Sequence, residues 1–281
     1  MGKFSTLINL TRINKPIGIF LLLWPTLSGL WLASEGMPNI KMLVIFILGT
    51  ILMRSAGCVV NDLADRKFDS FVKRTKNRPI TSGLVSIQEA IILLLSLLIT
   101  SFLLVIQLNY LTIWISFFAF LFALTYPFTK RFFKLPQIYL GVTFGFGVLM
   151  AFSAVQNQIP IEALILFLSN IFWAFSYDSH YAISDMEDDR KLNIYSAPLT
   201  FNNKTILMVT LSYLLMFLGL SIIGIMKEFT ISFYVLLGLA IVVSMYGCFE
   251  SRHMEPYKNF KAFLRNNYVG FIIFAGFFSQ T

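Results

Sequence analysis

The sequence predicts an all-α polytopic membrane protein, with nine transmembrane helices packed in one bundle. Its 281 residues are 57% hydrophobic and only 13% charged, whereas a soluble domain carries about 25% charged residues. A helix needs roughly 20 mostly apolar residues to span a bilayer. The segments of this kind, the last of them short, are 16–34, 41–60, 86–107, 110–127, 138–155, 160–178, 204–224, 228–249 and 266–280. We expect residues 1–281 to form a single integral-membrane domain.

The positive charges are distributed unevenly among the segments that connect these spans. If the N-terminus is cytoplasmic, 20 of the 22 Lys and Arg residues fall on the inside, and only Lys41 and Lys227 fall outside. Because positive residues concentrate in cytoplasmic loops, this bias predicts a cytoplasmic N-terminus and a periplasmic C-terminus. It also accounts for the net charge of +8 without nucleic acid as a partner.

Two long inside loops, at about 61–85 and 179–203, are expected to cap the cytoplasmic side, and each begins with an acidic cluster. The clusters hold eight of the 14 acidic residues of the chain. Carboxylates are costly near hydrocarbon, so such a concentration indicates function. Four spans separate the clusters, and this even number brings both to the same side of the membrane. We therefore expect them to face each other across one cavity.

The spacing within each cluster predicts which carboxylates point inward. A helix turns by about 100° per residue, so three aspartates of each cluster share a face if the helices continue through them. Glu187 and His180 point away, and Asp188 lies on the flank. Clustered carboxylates suit Mg²⁺, which takes one or two of them together with substrate phosphates. Ordinary helix caps at a membrane surface are the alternative. The residues expected to act as metal ligands and in catalysis are Asp62, Asp65, Asp69, Asp178, Asp185 and Asp189.

Polar and basic residues near the clusters are candidates for binding a diphosphate, because phosphate oxygens attract such groups. The alternative is that they form an ordinary positive-inside run. Arg78 is considered for the same role as its neighbours Lys73 and Arg74. The candidates for diphosphate binding are Asn61, Arg66, Lys73, Arg74, Lys130 and Arg131.

Arg54 lies inside the second span, roughly 10 Å from its cytoplasmic end at a rise of about 1.5 Å per residue. A guanidinium at that depth needs a partner. It either extends to the surface or binds the carboxylate of a second substrate in a bidentate fashion. Four tyrosines near the clusters either face the cavity or contribute to packing: Tyr126, Tyr139, Tyr177 and Tyr181.

Two longer motifs resemble the signatures of the UbiA-type intramembrane aromatic prenyltransferases. The first is Asn61-Asp62-x-x-Asp65-x-x-x-Asp69, followed by Val72-Lys73-Arg74-Thr75-x-Asn77-Arg78-Pro79. The second is Tyr177-Asp178-x-x-Tyr181-Ala182-x-x-Asp185-x-x-Asp188-Asp189. Shorter segments resemble the 4-hydroxybenzoate polyprenyltransferase branch of that family, among them Lys15-Pro16-Ile17-Gly18 and Arg54-Ser55-Ala56-Gly57-Cys58. Tyr195 and Pro198 depart from the pattern of this branch.

The resemblance implies a nine-helix bundle with a lateral opening to lipid, located in a bacterial inner membrane with a cytoplasmic active site. It also implies Mg²⁺-dependent transfer of a polyprenyl group from polyprenyl diphosphate to 4-hydroxybenzoate, at the ring carbon ortho to the hydroxyl, in ubiquinone biosynthesis. A different acceptor, such as homogentisate, dihydroxynaphthoate or haem, is the alternative within the family. A cation-coupled secondary transporter is the alternative from another class, and it would hold its carboxylates near the bilayer midplane on interrupted helices.

Overall fold

The chain folds into α-helices connected by short loops. The computed structural model describes residues 2–66, 69 and 75–280, and no β-strand occurs among them. A short 3₁₀ helix, Asn202–Lys204, lies between α8 and α9. The α-helices are α1 (Lys3–Thr11), α2 (Ile17–Ser34), α3 (Ile40–Asp65), α4 (Ile87–Val105), α5 (Tyr110–Thr129), α6 (Pro136–Gln156), α7 (Ile161–Lys191), α8 (Ala197–Phe201), α9 (Thr205–Met226), α10 (Ile231–Glu250) and α11 (Pro256–Phe278).

Eight helical segments of the described chain are long and apolar enough to cross a membrane, which makes this a multi-pass membrane protein. They are α2 to α7, the combined segment Ala197–Met226, and α10. The predicted ninth span, 266–280, corresponds to α11, which is not among the eight. The first half of α11 carries Lys258, Lys261 and Arg265 and lowers its hydropathy. The all-α membrane fold is thus confirmed. Eight of the nine predicted spans are confirmed as well.

Side chains at the helix starts explain where several spans begin. Ser86 and Glu89 form a capping box at the start of α4, in which each side chain accepts a hydrogen bond from the other's backbone N–H. Asn109 caps α5 by accepting from the Thr112 N–H, and it also donates to the Ser153 carbonyl of α6. These contacts satisfy polar backbone groups that would otherwise be exposed where the chain turns.

Two helix boundaries at the acidic clusters differ from the sequence expectation. Helix α3 ends at Asp65, so Asp69 lies beyond it and does not share its face. Helix α7 continues through the second cluster to Lys191, so the loop expected from 179 begins only after that residue. No Gly or Pro interrupts residues 178–191, and Arg190 and Lys191 lie in the last turn, where positive charge favours a helix C-terminus.

The helices on one side of the bundle are much less buried than the others. The main hydrophobic cluster is built from α2, α6, α7, α9, α10 and α11. By contrast, only 6% of the residues in the most apolar 18-residue stretch of α4 are buried, and only 11% in that of α5. A large cavity lies between these outer helices and α2, α3, α6 and the C-terminal half of α7. It determines where any bound molecule can lie.

Candidate active site

A single cavity of about 1500 Å³ contains both acidic clusters in its walls. All six carboxylates predicted to point inward line it, and so do Asp188 and Asn61. They come from the end of α3, the segment that follows it, and about the last four turns of α7. The prediction that the two clusters face one cavity agrees with this geometry.

The first cluster is neutralised by cations from distant parts of the chain. Asp62 is nearly fully buried, and its Oδ1 lies 2.6 Å from Arg12 Nη2 and 3.1 Å from Arg78 Nη1. The same Arg78 nitrogen lies 2.8 Å from Asp69 Oδ2. One guanidinium therefore holds Asp69 beside Asp62, although Asp69 is outside α3.

Asp69 is itself buried, and the Thr75 hydroxyl donates to its carbonyl oxygen at 3.1 Å. Burial raises the pKa of the Asp69 carboxyl, and the positive charge of Arg78 partly opposes this shift. A second positive charge at this position would stabilise the ionised form further. The diphosphate-binding candidates Lys73 and Arg74 lie outside the described residues.

Asp65 is bound from the other side of the cavity by the segment that ends α5. Lys130 Nζ forms an ion pair with Asp65 Oδ2, and Arg131 Nη2 lies 3.7 Å from Asp65 Oδ1. Arg131 also donates to the Ala64 carbonyl at 3.1 Å. Lys130 is close enough for its charge to act on Asp189 as well. It therefore lies between the two clusters.

The second cluster lies on one uninterrupted helix. Asp178, Asp185 and Asp189 follow each other at intervals of seven and four residues and line the cavity, as expected for one face of α7. Asp188, on the flank, also lines the cavity and lies 3.5 Å from Lys191. Asp178 is close to Arg54, whose charge acts on it across the cavity.

The segment after α7 is fixed to the segment after α5. The Tyr195 N–H donates to the Lys130 carbonyl at 2.7 Å, and the Ala197 N–H donates to the side chain of Gln137 at 3.1 Å. Tyr195 also lines the cavity, and Pro198 stands in the first turn of α8. These two departures from the branch pattern therefore leave the carboxylates of α7 in place.

Other residues singled out from the sequence lie away from the cavity. Arg66 is exposed, donates to the Leu63 carbonyl at 2.7 Å just after the end of α3, and is not in the cavity wall; its role in diphosphate binding stays a prediction. Glu187 is exposed, and His180 is buried against Asn259 of α11 at 2.9 Å. Both point away, as the helical-face argument predicts. Tyr139 bonds to Thr125 outside the cavity.

Arg54 lies in the cavity wall and does not extend to the surface. Its Nη1 donates to Cys58 Sγ at 3.0 Å, and its Cζ lies 5.9 Å from the centre of the Phe144 ring. Its Nε is buried without a hydrogen-bond partner in the described part of the chain. No carboxylate among the described residues lies within 4.0 Å of it. An unpartnered donor on a buried cation is costly, and a bound anion would satisfy it.

The part of the cavity beyond the clusters is apolar and reaches the outer surface of the bundle. Helices α4 and α5 contribute Ile99, Phe102, Trp114 and Phe117, which line the cavity yet are between 49% and 65% exposed. This is the side on which the expected lateral opening lies. Phe144 and the tyrosines Tyr126, Tyr177 and Tyr181 line the same cavity.

The donors suit a hard cation that keeps other ligands. They are all carboxylates, and none of the thiols or imidazoles of the described chain joins them in a metal-binding group. In the described residues no three carboxylates come close enough to enclose an ion by themselves. Mg²⁺ fits this pattern, because it takes one or two carboxylates and completes its shell with water and phosphate oxygens.

Two cations of the site are not among the residues that the sequence predicts for diphosphate binding. Arg12 falls within the positive-inside run, and Arg78 is considered only together with Lys73 and Arg74. Arg12 is 50 residues from its partner Asp62, so no local spacing could connect them. It follows α1, a short helix whose Leu10 is buried against Val59 and Ile80. The αL conformation of Arg12 (φ 56°) ends that helix at the cavity wall.

Known proteins are similar to this chain over nearly its whole length. Residues 22–271 match the UbiA prenyltransferase family. The chain belongs to the UbiA prenyltransferase family. It is 48% identical to a 4-hydroxybenzoate octaprenyltransferase of Nitrosomonas eutropha, over 99% of this chain and 98% of that protein. It is also 48% identical to a protein of the same name from Paraburkholderia phymatum, over 98% of this chain and 96% of that protein.

Solved structures of UbiA homologues have the same fold. The apo structure of a homologue from Aeropyrum pernix K1 covers 92% of this chain and 96% of its own, with a TM-score of 0.80 and 24% identity. A homologue from Archaeoglobus fulgidus bound to GPP and Mg²⁺ covers 98% of this chain and 99% of its own, with a TM-score of 0.76 and 17% identity. At these identities the likeness concerns the fold alone.

Proposed function

We propose that this protein is a 4-hydroxybenzoate polyprenyltransferase. It transfers a polyprenyl group from polyprenyl diphosphate to the ring carbon ortho to the hydroxyl, in ubiquinone biosynthesis. The observation that carries this proposal is one cavity that combines two carboxylate clusters, a partly unpartnered arginine and an apolar extension to the bundle surface. These features correspond to the diphosphate, the acceptor's carboxylate and the polyprenyl tail. The relatives named above bear the same activity in their names.

The diphosphate of the donor binds between the clusters. Mg²⁺ would be held by one or two carboxylates of each cluster, from Asp62, Asp65 and Asp69 on one side and from Asp178, Asp185 and Asp189 on the other, and would supply positive charge that helps the diphosphate leave. Arg12, Arg78, Lys130 and Arg131 pair with the carboxylates of the first cluster. Their donors are of the kind that also binds phosphate oxygens. Asn61, in the same wall, is a further candidate for the diphosphate.

The acceptor binds with its carboxylate at Arg54. The guanidinium lies across from Asp178 and keeps a buried donor without a partner. A carboxylated phenol supplies an anion for that donor, and the planar guanidinium favours a bidentate pair with a carboxylate. The ring then lies between Arg54 and the clusters, where the tyrosines and Phe144 line the cavity.

The reaction breaks the bond between the prenyl carbon and the diphosphate oxygen. The ring carbon bonds to the prenyl carbon, and the ring loses a proton to restore its aromaticity. The aromatic walls support this step in two ways: their faces stabilise positive charge on the allylic group, and they keep water away from it. The polyprenyl tail extends along α4 and α5 into the bilayer.

The charge distribution supports a location in the bacterial inner membrane. With the segments rich in Lys and Arg on the inside, the N-terminus and both clusters face the cytoplasm and the C-terminus faces the periplasm. The transporter alternative is disfavoured, because the first cluster follows the end of one helix and the second lies on an uninterrupted one, whereas transporters hold such groups at the midplane on broken helices.

An assay of membranes that contain the protein tests the proposal. Labelled polyprenyl diphosphate is offered with 4-hydroxybenzoate, homogentisate or dihydroxynaphthoate, with Mg²⁺ or with EDTA. We expect prenylated product from 4-hydroxybenzoate in Mg²⁺ and none in EDTA. Equal product from homogentisate would indicate a prenyltransferase of the same family with a different aromatic acceptor. Full activity in EDTA would contradict the role of the metal.

A further inference from the structure

Gly18, the second residue of α2, lies directly against the guanidinium of Arg54. A Cβ atom at this position would lie 2.5 Å from Arg54 Nη2, 2.6 Å from Nε and 2.8 Å from Cζ. Real Cβ atoms essentially never show such short contacts. The guanidinium therefore occupies the space that any side chain at position 18 would need.

The other groups in contact with the guanidinium bind it only weakly. Cys58 accepts one hydrogen bond through a thiol, and the Phe144 ring lies 5.9 Å away. A thiol is a weak acceptor, and a ring at that distance attracts a cation only modestly. No carboxylate of the described chain lies within 4.0 Å of it, and Asp178 acts on it only from across the cavity. The close packing of Gly18 is therefore the contact that restricts where the guanidinium can lie.

We propose that Gly18 positions Arg54 for the carboxylate of the acceptor, and thereby gives the site its preference for carboxylated phenols. This inference rests on the function proposed above. A bidentate pair needs the guanidinium of Arg54 in one orientation. A misplacement of such a binding group by about 1 Å can lower the rate by up to roughly 100-fold. A methyl group at position 18 forces a displacement of that size. Gly18 is a positioning residue, since it acts through Arg54.

A substitution at Gly18 should leave the fold intact, because the atoms it would meet are the end of a flexible side chain. Gly141 provides the contrast: a Cβ there would lie 2.8 Å from the backbone Cα of Ile171, so α6 and α7 would have to separate. Gly18→Ala is therefore expected to change the acceptor site and not the packing of the helices. Alanine also favours a helix over glycine.

The test compares Gly18→Ala with Gly238→Ala, a control in α10 outside the cavity wall, where a Cβ would meet nothing within 4 Å. Steady-state kinetics use 4-hydroxybenzoate and its neutral analogue 4-hydroxybenzamide. Gly18→Ala should raise the KM for 4-hydroxybenzoate by about 10-fold, in the range expected for a weakened bond to a charged group. The KM for the donor, the kinetics of the amide and the Tm should stay unchanged. Gly238→Ala should change none of these.

A double-mutant cycle with Arg54→Ala separates this inference from the proposed function. Gly18→Ala should have no further effect once Arg54→Ala has removed the guanidinium. If Gly18→Ala raises the KM of both acceptors alike, or changes neither, the inference about Gly18 is wrong. If Arg54→Ala itself leaves the preference for the carboxylate unchanged, the proposed acceptor role fails whatever Gly18 does.

A folding defect would still give an answer. If Gly18→Ala does not accumulate, the double variant Gly18→Ala/Arg54→Ala should accumulate normally, because the clash is with Arg54 alone. A double variant that also fails to accumulate would show that position 18 matters for packing, and would overturn the inference.

Discussion

The two acidic clusters line the same cavity but are built in different ways. The first is assembled from separate segments: the end of α3, the residue Asp69 beyond it, and cations that reach it from Arg12, Arg78 and Lys130. The second is carried by one face of the continuous helix α7. The first thus depends on tertiary contacts, whereas the second depends on helical periodicity alone.

This difference has consequences for charge. A buried carboxylate whose partner is removed is left uncompensated, which costs several kcal/mol. The first cluster avoids that cost through its own cations, and a metal would have to displace them. In the second, Asp178 and Asp189 have no Lys or Arg of the described chain within 4.0 Å. Substitutions in the two clusters should therefore have different effects.

The largest effect is expected in the second cluster. Asp185→Ala removes a carboxylate that lines the cavity, and kcat should fall by about 100-fold or more, since loss of even an outer-shell partner of a metal costs roughly 10- to 100-fold. Glu187→Ala, on the same helix but exposed, should retain nearly full activity. Kinetics of the two variants at matched expression check this. Equal damage from both would mean that the helical face does not select the functional carboxylates.

A smaller effect is expected from the cations of the first cluster. Arg78 binds both Asp62 and Asp69, whereas Arg12 binds Asp62 and is more exposed. Arg78→Ala should raise the KM of the polyprenyl diphosphate by about 10- to 100-fold, and Arg12→Ala by roughly 10-fold or less. The acceptor KM should change little in either variant, which separates a local effect from general unfolding. A larger effect at Arg12 than at Arg78 would reverse the order of the two cations.

The smallest effect is expected at the opposite end of the bundle. Lys227 lies 3.0 Å from Glu162 and 3.1 Å from Glu35, and the hydrogen bond to Glu162 raises the pKa of Lys227. A raised lysine pKa means that the pair stabilises the fold below about pH 10.4 and loses this effect above it. Lys227→Ala should lower stability at neutral pH by at most about 1 kcal/mol, because solvent screens the pair.

Thermal unfolding in detergent measures the effect of Lys227→Ala, with the kinetics of both substrates as the control. The catalytic constants should not change, since Lys227 does not line the cavity. A change in either KM would indicate that the opposite end of the bundle is coupled to the site.

The contrast between the clusters also explains what could be predicted from the sequence. The long apolar runs define most spans, and the intervals between Asp178, Asp185 and Asp189 define a face because α7 is continuous there. Hydropathy cannot reveal that continuity, because residues 179–191 are mostly polar and this composition fits a helix as well as a loop. The grouping of Asp69 with Asp62 and Asp65 rested on a helix that ends at Asp65. Asp69 nevertheless reaches the site through Arg78.

Contacts between distant segments were beyond the sequence. Helix α1 is too short and too polar to register as a span, and nothing in its local pattern connects Arg12 with Asp62. The packing of Gly18 on Arg54 is of the same kind: the motif contains both residues, but only the fold brings them together. Arg66, by contrast, lies inside the motif and yet caps a helix end at the surface.

Binding of one donor by both clusters is the central claim, and a double-mutant cycle across the cavity tests it most directly. The Kd of labelled geranyl diphosphate is measured in Mg²⁺, without acceptor, for the wild type, Asp62→Ala, Asp185→Ala and the double variant. Each single change should weaken binding by about 10- to 100-fold, and the double variant should lose much less than the product of the two, because residues that act on one ligand as a unit are not additive. Losses that multiply, or a cluster whose change has no effect, would contradict a shared diphosphate site.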